Sequence, residues 1–144
     1  MENEIRDYRG KTATGKWIYG SLVCSKNIES AIYFEVGDGE FKTFEWFYVI
    51  PKSVGQYTGL KDIENTKIYG GDICSGHKMN YNSKKQEFKF TVEYNIRVAG
   101  FVCSNISTNN RANAGLNSLL RKKVIGNKTD NPDMIKWIQF KSRL

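Results

Sequence analysis

The sequence holds one histidine and three cysteines, and these are the first residues to test for chemistry. Cys74 and His77 stand three positions apart, and with Cys24 and Cys103 they make an arithmetically complete zinc ligand set. Structural zinc draws on paired, short-spaced ligands, and only Cys74-x-x-His77 comes near that pattern. The cysteines read better as small buried hydrophobes in a reduced compartment, because each lies in an apolar setting: Leu22-Val23-Cys24, Ile73-Cys74 and Phe101-Val102-Cys103. Their odd number excludes a disulfide framework that uses all three. A Cys–His nucleophile would need His77 beside a cysteine, and Cys74 carries no such signature around it. A metal-dependent nuclease needs clustered carboxylates; Asp62, Glu64 and Asp72, or Asp130 and Asp133, are available without a recognised spacing, so this reading ranks below the binding ones. Gly10-Lys11-Thr12 has the tail of a phosphate-binding loop, but the motif's first glycine falls on Ile5. No catalytic residue, metal or cofactor is expected.

Charge offers a second kind of chemistry. The 144 residues carry a formal +7, divided unevenly: residues 1–72 hold nine Lys+Arg against eleven Asp+Glu, and residues 73–144 hold thirteen against four. An excess of this kind attracts polyanions. The candidate nucleic-acid contacts are Arg111, Arg121, Lys122, Lys123 and Lys128, with Lys89 and Arg97 as neighbours on a sheet. The competing reading of Arg121-Lys122-Lys123 is that it complements the C-terminal end of a helix dipole.

The elements that must position these residues are mostly strands. Residues 16–24, 30–36 and 41–50 are rich in β-formers and bounded by Thr14-Gly15, Gly37-Asp38-Gly39 and Pro51. In the third of these, Phe41, Trp46, Phe47, Tyr48 and Val49 carry enough apolar surface to be core rather than a ligand stack. Residues 54–58, 67–69 and 73–75 are short extended pieces. Residues 86–95 alternate cleanly, with Phe88, Phe90, Val92 and Tyr94 on one side and Lys89, Thr91 and Glu93 on the other, and residues 96–103 pair with them. Residues 80–85 and 105–110 read as polar loops. Leu116, Leu119, Leu120 and Lys123 follow helical spacing, which predicts a helix over residues 112–123. A second begins at Asp130 or Asn131 as N-cap, with Pro132 in the first turn and Met134, Ile135, Trp137 and Ile138 as its apolar face. The expected fold is mainly β (α+β): a small antiparallel sheet or partly open β-barrel with short C-terminal helices, in one domain over residues 1–144.

Several blocks go beyond composition. Val49-Ile50-Pro51-Lys52-Ser53-Val54-Gly55-Gln56-Tyr57-Thr58-Gly59-Leu60-Lys61-Asp62, then Lys67-Ile68-Tyr69-Gly70-Gly71-Asp72-Ile73, resembles the signature of the YopX family of bacteriophage and prophage proteins. Gly15-Lys16-Trp17-Ile18-Tyr19-Gly20-Ser21-Leu22 agrees near the N-terminus, as do Val124-Ile125-Gly126-Asn127 and Asn131-Pro132-Asp133-Met134-Ile135 near the end. The chain departs from the family pattern at Gly70, usually acidic, and at Ile63-Glu64-Asn65-Thr66, usually a compact Asn-Gly loop. Physically, the signature describes strands flanking turns, with Tyr57 and Tyr69 amphipathic, Gly59 and Gly71 in special backbone conformations, and Asp72 capping a turn. The other reading is that Gln56, Tyr57, Asp62 and Asp72 line a site.

The resemblance implies a phage- or prophage-encoded accessory protein with no settled activity. The function expected is a non-enzymatic binding or assembly module. Homo-oligomeric contact through Trp17, Trp46 or Trp137 is one form of it, and nucleic-acid binding by the basic half is the alternative. A charged N-terminus and the lack of a long apolar run place the chain in the cytoplasm, away from membranes.

Overall fold

A computed structural model describes residues 7–27, 29–79, 85–106 and 113–135, and these fall into two compact units divided after Gly59. The first contains β1 (Tyr8–Lys11), β2 (Trp17–Cys24), β3 (Ser30–Val36), β4 (Thr43–Val49) and the start of β5 (Gly55–Lys61). These strands lie in the order β4-β3-β2-β1-β5, with antiparallel ladders throughout β1 to β4 and between β1 and β5. β2 pairs with β1 through Gly20 and with β3 from Ser21 onward. Glycine is required at that change of partner: a Cβ on Gly20 would stand 2.0 Å from the Tyr33 carbonyl oxygen. Ile18, Ile32 and Val49 form this unit's core, with Tyr8, Leu22, Phe34 and Val54 packed on it.

The second unit begins as β5 ends. A turn closed by the Asp62 N–H donating to Thr66 O (2.8 Å), with Asn65 at φ 66°, leads into β6 (Lys67–Tyr69). β7 (Asp72–Met79), β8 (Lys85–Asn95), β9 (Gly100–Asn105), β10 (Asn113–Gly115) and β11 (Leu120–Asn127) make an open antiparallel sheet in the order β10-β9-β8-β7-β11. The alternation of residues 86–95 is realised as β8, which pairs with β7 on one side and β9 on the other. Ile68, Cys74, Phe90, Val92, Cys103, Leu116 and Leu119 form its core.

Three expectations need correction. Both sheets have free ends, so the β architecture is two open sheets and not a barrel. No helix forms over residues 113–123: after β10 comes a single 3-10 turn, Leu116–Ser118, and then β11. The leucine spacing is met by that turn, which buries Leu116 and Leu119 while Leu120 is half exposed on a strand. Arg121-Lys122-Lys123 therefore sits in a strand, and its helix-dipole reading falls with the helix. The second predicted helix does start, with helical backbone at residues 133–135 and the Ile135 N–H donating to Pro132 O (3.1 Å); Trp137 and Ile138 lie outside the described residues. Tyr8–Lys11, unassigned from sequence, is a strand, so Gly10-Lys11-Thr12 runs along a sheet and not around a phosphate loop.

Candidate functional site

The signature residues are largely occupied with holding backbone. One Asp62 carboxylate oxygen accepts the N–H groups of Glu64 and Thr66, each at 2.9 Å, and the other accepts the Val124 N–H at 2.9 Å, 62 positions further along the chain. The Ile63 N–H donates to Lys122 O at 2.8 Å, so this turn covers part of the outer edge of β11. Burial opposes ionisation of Asp62, but the three N–H donors and the Lys123 charge outweigh it and hold the carboxyl below its ordinary value. Asp72, almost fully buried, accepts the Tyr69 N–H at 2.8 Å. Gly59 and Gly71 take φ values of 85° and 91°, the first within β5 and the second in the turn between β6 and β7.

The C-terminal block works the same way. Asn131 Oδ1 accepts the Asn127 N–H, and Asn127 Oδ1 accepts the N–H groups of Thr129 and Asp130. A Cβ on Gly126 would stand 2.5 Å from Asn131 Oδ1, which is why glycine precedes Asn127. Pro132 follows as the helical turn begins. Gly55 and Tyr57 are buried in β5, Gln56, Thr58 and Leu60 half buried.

The other candidates are dispersed. Cys74 and His77 are separated by an odd number of positions on β7 and so face opposite sides of the strand. Cys74 and Cys103 are buried as expected, but Cys24 is exposed, which corrects its reading as a buried hydrophobe. Burial pushes the Cys103 thiol up to about 12, against a smaller opposing pull from Lys122. Among the described residues no three His, Cys, Asp or Glu side chains converge. Of the basic set, Lys123 pairs with Glu64 at 3.1 Å, Lys128 pairs with Glu93, and Lys122 Nζ donates to Leu119 O at 2.8 Å. Arg121 adopts a left-handed backbone (φ 51°) where β11 shifts register against β7. Arg97 is exposed in the turn between β8 and β9, Lys89 is on β8, and Arg111 lies outside the described residues.

Sequence reasoning placed the aromatic run at residues 41–50 in the core, and the structure does not. Every residue of β4 from Thr43 to Tyr48 is exposed; Val49 alone is buried. Among the described residues β4 ends its sheet, paired only with β3. The pleat sends Phe44, Trp46 and Tyr48 to one face and Phe47 to the other. Phe41, just before the strand, is 87% exposed, Phe44 73%, Tyr48 57%, Trp46 46% and Phe47 44%. The rings are ordered against one another: Tyr33 stacks on Trp46 (5.9 Å between centroids), Phe34 on Phe47 (5.9 Å), and Trp46 meets Tyr48 edge-on (5.0 Å). Trp17, the other candidate anchor, is half buried with the Arg9 guanidinium 4.8 Å from its ring centre. The charged residues between β2 and β4 are mainly acidic, with Glu29, Glu35, Asp38, Glu40 and Glu45 against Lys26 and Lys42.

Two open antiparallel sheets, turns locked by Asp62, Asp72 and Asn131, and an aromatic edge strand thus define a β-rich protein with a conspicuous apolar surface among the described residues. The chain belongs to the YopX family: it matches the family described as YopX protein over residues 7–136. The crystal structure of protein EF1440 from Enterococcus faecalis is similar over 90% of this chain and 96% of its own, with a TM-score of 0.53 at 17% identity, a likeness of fold. No curated protein sequence matches. Among the described residues no helix is long and apolar enough to cross a membrane.

Proposed function

We propose that the chain is a non-enzymatic binding and assembly module, a phage- or prophage-encoded accessory protein of the host cytoplasm, and that it works through β4 and the aromatic surface around it. The observation that carries this reading is the exposure of six consecutive β4 residues, four of them aromatic or flanked by stacked aromatic neighbours. Leaving this much apolar ring surface in water is costly, at roughly 25 cal/mol per Å² of apolar area, and covering it with a partner recovers that cost. The chemistry of the signature agrees: Asp62 and Asp72 spend their carboxylates on backbone donors, which leaves a scaffold role for them and not acid–base work. The acidic surroundings of β4 disfavour a polyanion there, and three of the basic candidates in the other unit are engaged with local partners.

Site-specific photo-crosslinking tests the reading. A photoreactive residue at position 44, introduced into the full chain in the cells that express it, should give discrete adducts, whereas the same residue at exposed position 63 should not. Adducts at position 44 no stronger than those at 63 would overturn it.

A further inference from the structure

We propose that the occupant of the β4 edge is a second copy of this chain, added as an antiparallel strand so that the β4 strands of two copies pair across a two-fold axis at Trp46. This rests on the binding role of β4 proposed above and names its partner. Three features of the strand lead to it.

The first is that β4 is exposed on both faces at once, with Phe44, Trp46 and Tyr48 on one side and Phe47 on the other. A ligand docking on one face would cover one set of rings and leave the other wet. A strand added at the edge flanks both faces and also satisfies the outward backbone groups that an edge strand presents. The remaining free edges are shorter or covered: β6 and β10 have three residues each, and the turn at Asp62 lies along β11. β4 has seven residues without an internal proline or a register shift against β3.

The second is register. Trp46 is the middle residue of Thr43–Val49, so an axis there pairs all seven residues with none left over. It sets Trp46 against Trp46 and Phe44 against Tyr48 on one face, and Glu45 against Phe47 on the other. An axis one residue earlier would put Glu45 directly opposite Glu45, a like-charge pair that destabilises a sheet. An axis one residue later would need Ile50, whose N–H already donates to Lys11 O. Glu35, the acidic neighbour across from Phe44, is neutralised by Lys42 at 3.3 Å.

The third is area. With about 200 Å² per aromatic side chain, the exposed fractions of Phe41, Phe44, Trp46, Phe47 and Tyr48 amount to roughly 600 Å² per copy. Two copies together expose about 1,200 Å² on these rings, and the part that strand pairing covers adds to the paired backbone toward the lower limit of a specific interface.

Sedimentation velocity on the full chain between about 1 and 100 µM should show a concentration-dependent dimer, and Phe44→Glu should raise its dissociation constant by about ten-fold or more. Register is read separately, by mild oxidation in a Cys24→Ser background. Directly opposed strand residues have Cα atoms about 4.5–5.5 Å apart, within disulfide reach, so Trp46→Cys should form a covalent dimer. Phe44→Cys should not, because the two positions 44 lie about 13 Å apart. Circular dichroism confirms that each variant is folded. A wild-type chain that is monomeric at about 100 µM, or oxidation that favours position 44 over 46, overturns the pairing. If position 44 then crosslinks a different protein, the binding reading stands without self-pairing; if it crosslinks nothing above the control, both fall.

Discussion

Replacing Asp62 by alanine removes three hydrogen bonds at once, and the structure apportions their loss. The Glu64 and Thr66 N–H groups belong to an exposed turn, where water can take over from the carboxylate, so each contributes about 0.5–1 kcal/mol. The Val124 N–H is different: it lies in β11 and points at a carboxylate that is 9% exposed, so its acceptor is not simply replaced by solvent. An orphaned N–H of this kind costs about 1–3 kcal/mol, and the whole substitution should cost about 2–5 kcal/mol of the second unit's stability. Asp62→Asn should fall between the two, since its amide keeps one acceptor oxygen but offers an NH2 group where a second acceptor is needed. Acid provides an independent check. The folded-state carboxyl lies below its ordinary value of 3.8, so its contribution is fully present above that value and is lost as the pH falls through the lower, folded one. The stability difference between wild type and Asp62→Asn should therefore close progressively below about pH 4. Urea denaturation followed by circular dichroism gives the energies, and hydrogen exchange at the Val124 amide gives the site. A loss under about 0.5 kcal/mol for Asp62→Ala, or a Val124 amide that exchanges no faster, would refute this account of the tie.

Two further outcomes follow from the packing. With a thiol reagent near pH 8, Cys24 should react in the native protein while Cys74 and Cys103 stay protected, Cys103 because burial lifts it to about 12; all three should react in denaturant. Gly126→Ala should destabilise by about 1–3 kcal/mol, because the new methyl displaces the Asn131 side chain that holds the Asn127 N–H; an unchanged denaturation midpoint would show that the turn gives way freely.

What the sequence made legible depended on how local the deciding physics was. The two-residue period of residues 86–95 reports directly which face of β8 is buried, and Phe90 and Val92 are indeed core. Gly71 and the Asp72 cap are turn chemistry within a few residues, and that too was readable. The misreadings are non-local. Aromatic content marked residues 41–50 as a strand, but only sheet order reveals that the strand is at an edge, with its rings exposed. Leucines at 116, 119 and 120 fit a helix until β7 competes for the following residues as a ladder partner. From sequence Asp62 reads as a carboxylate that could serve a site, because nothing in its vicinity announces Val124 as a backbone donor to it.

That third bond also orders events during synthesis. Asp62 leaves the ribosome 62 residues before Val124, an interval of roughly 3–12 s at ordinary elongation rates. Over that interval the turn has one carboxylate oxygen facing solvent, and β7, which can already form its hairpin with β8, waits for β11 along its other side. The second sheet is completed only when its last strand arrives, and Asp62 is then the clasp that registers the arrival: until β11 is in place the nascent chain exposes β7 as a temporary edge, and afterwards that edge is closed.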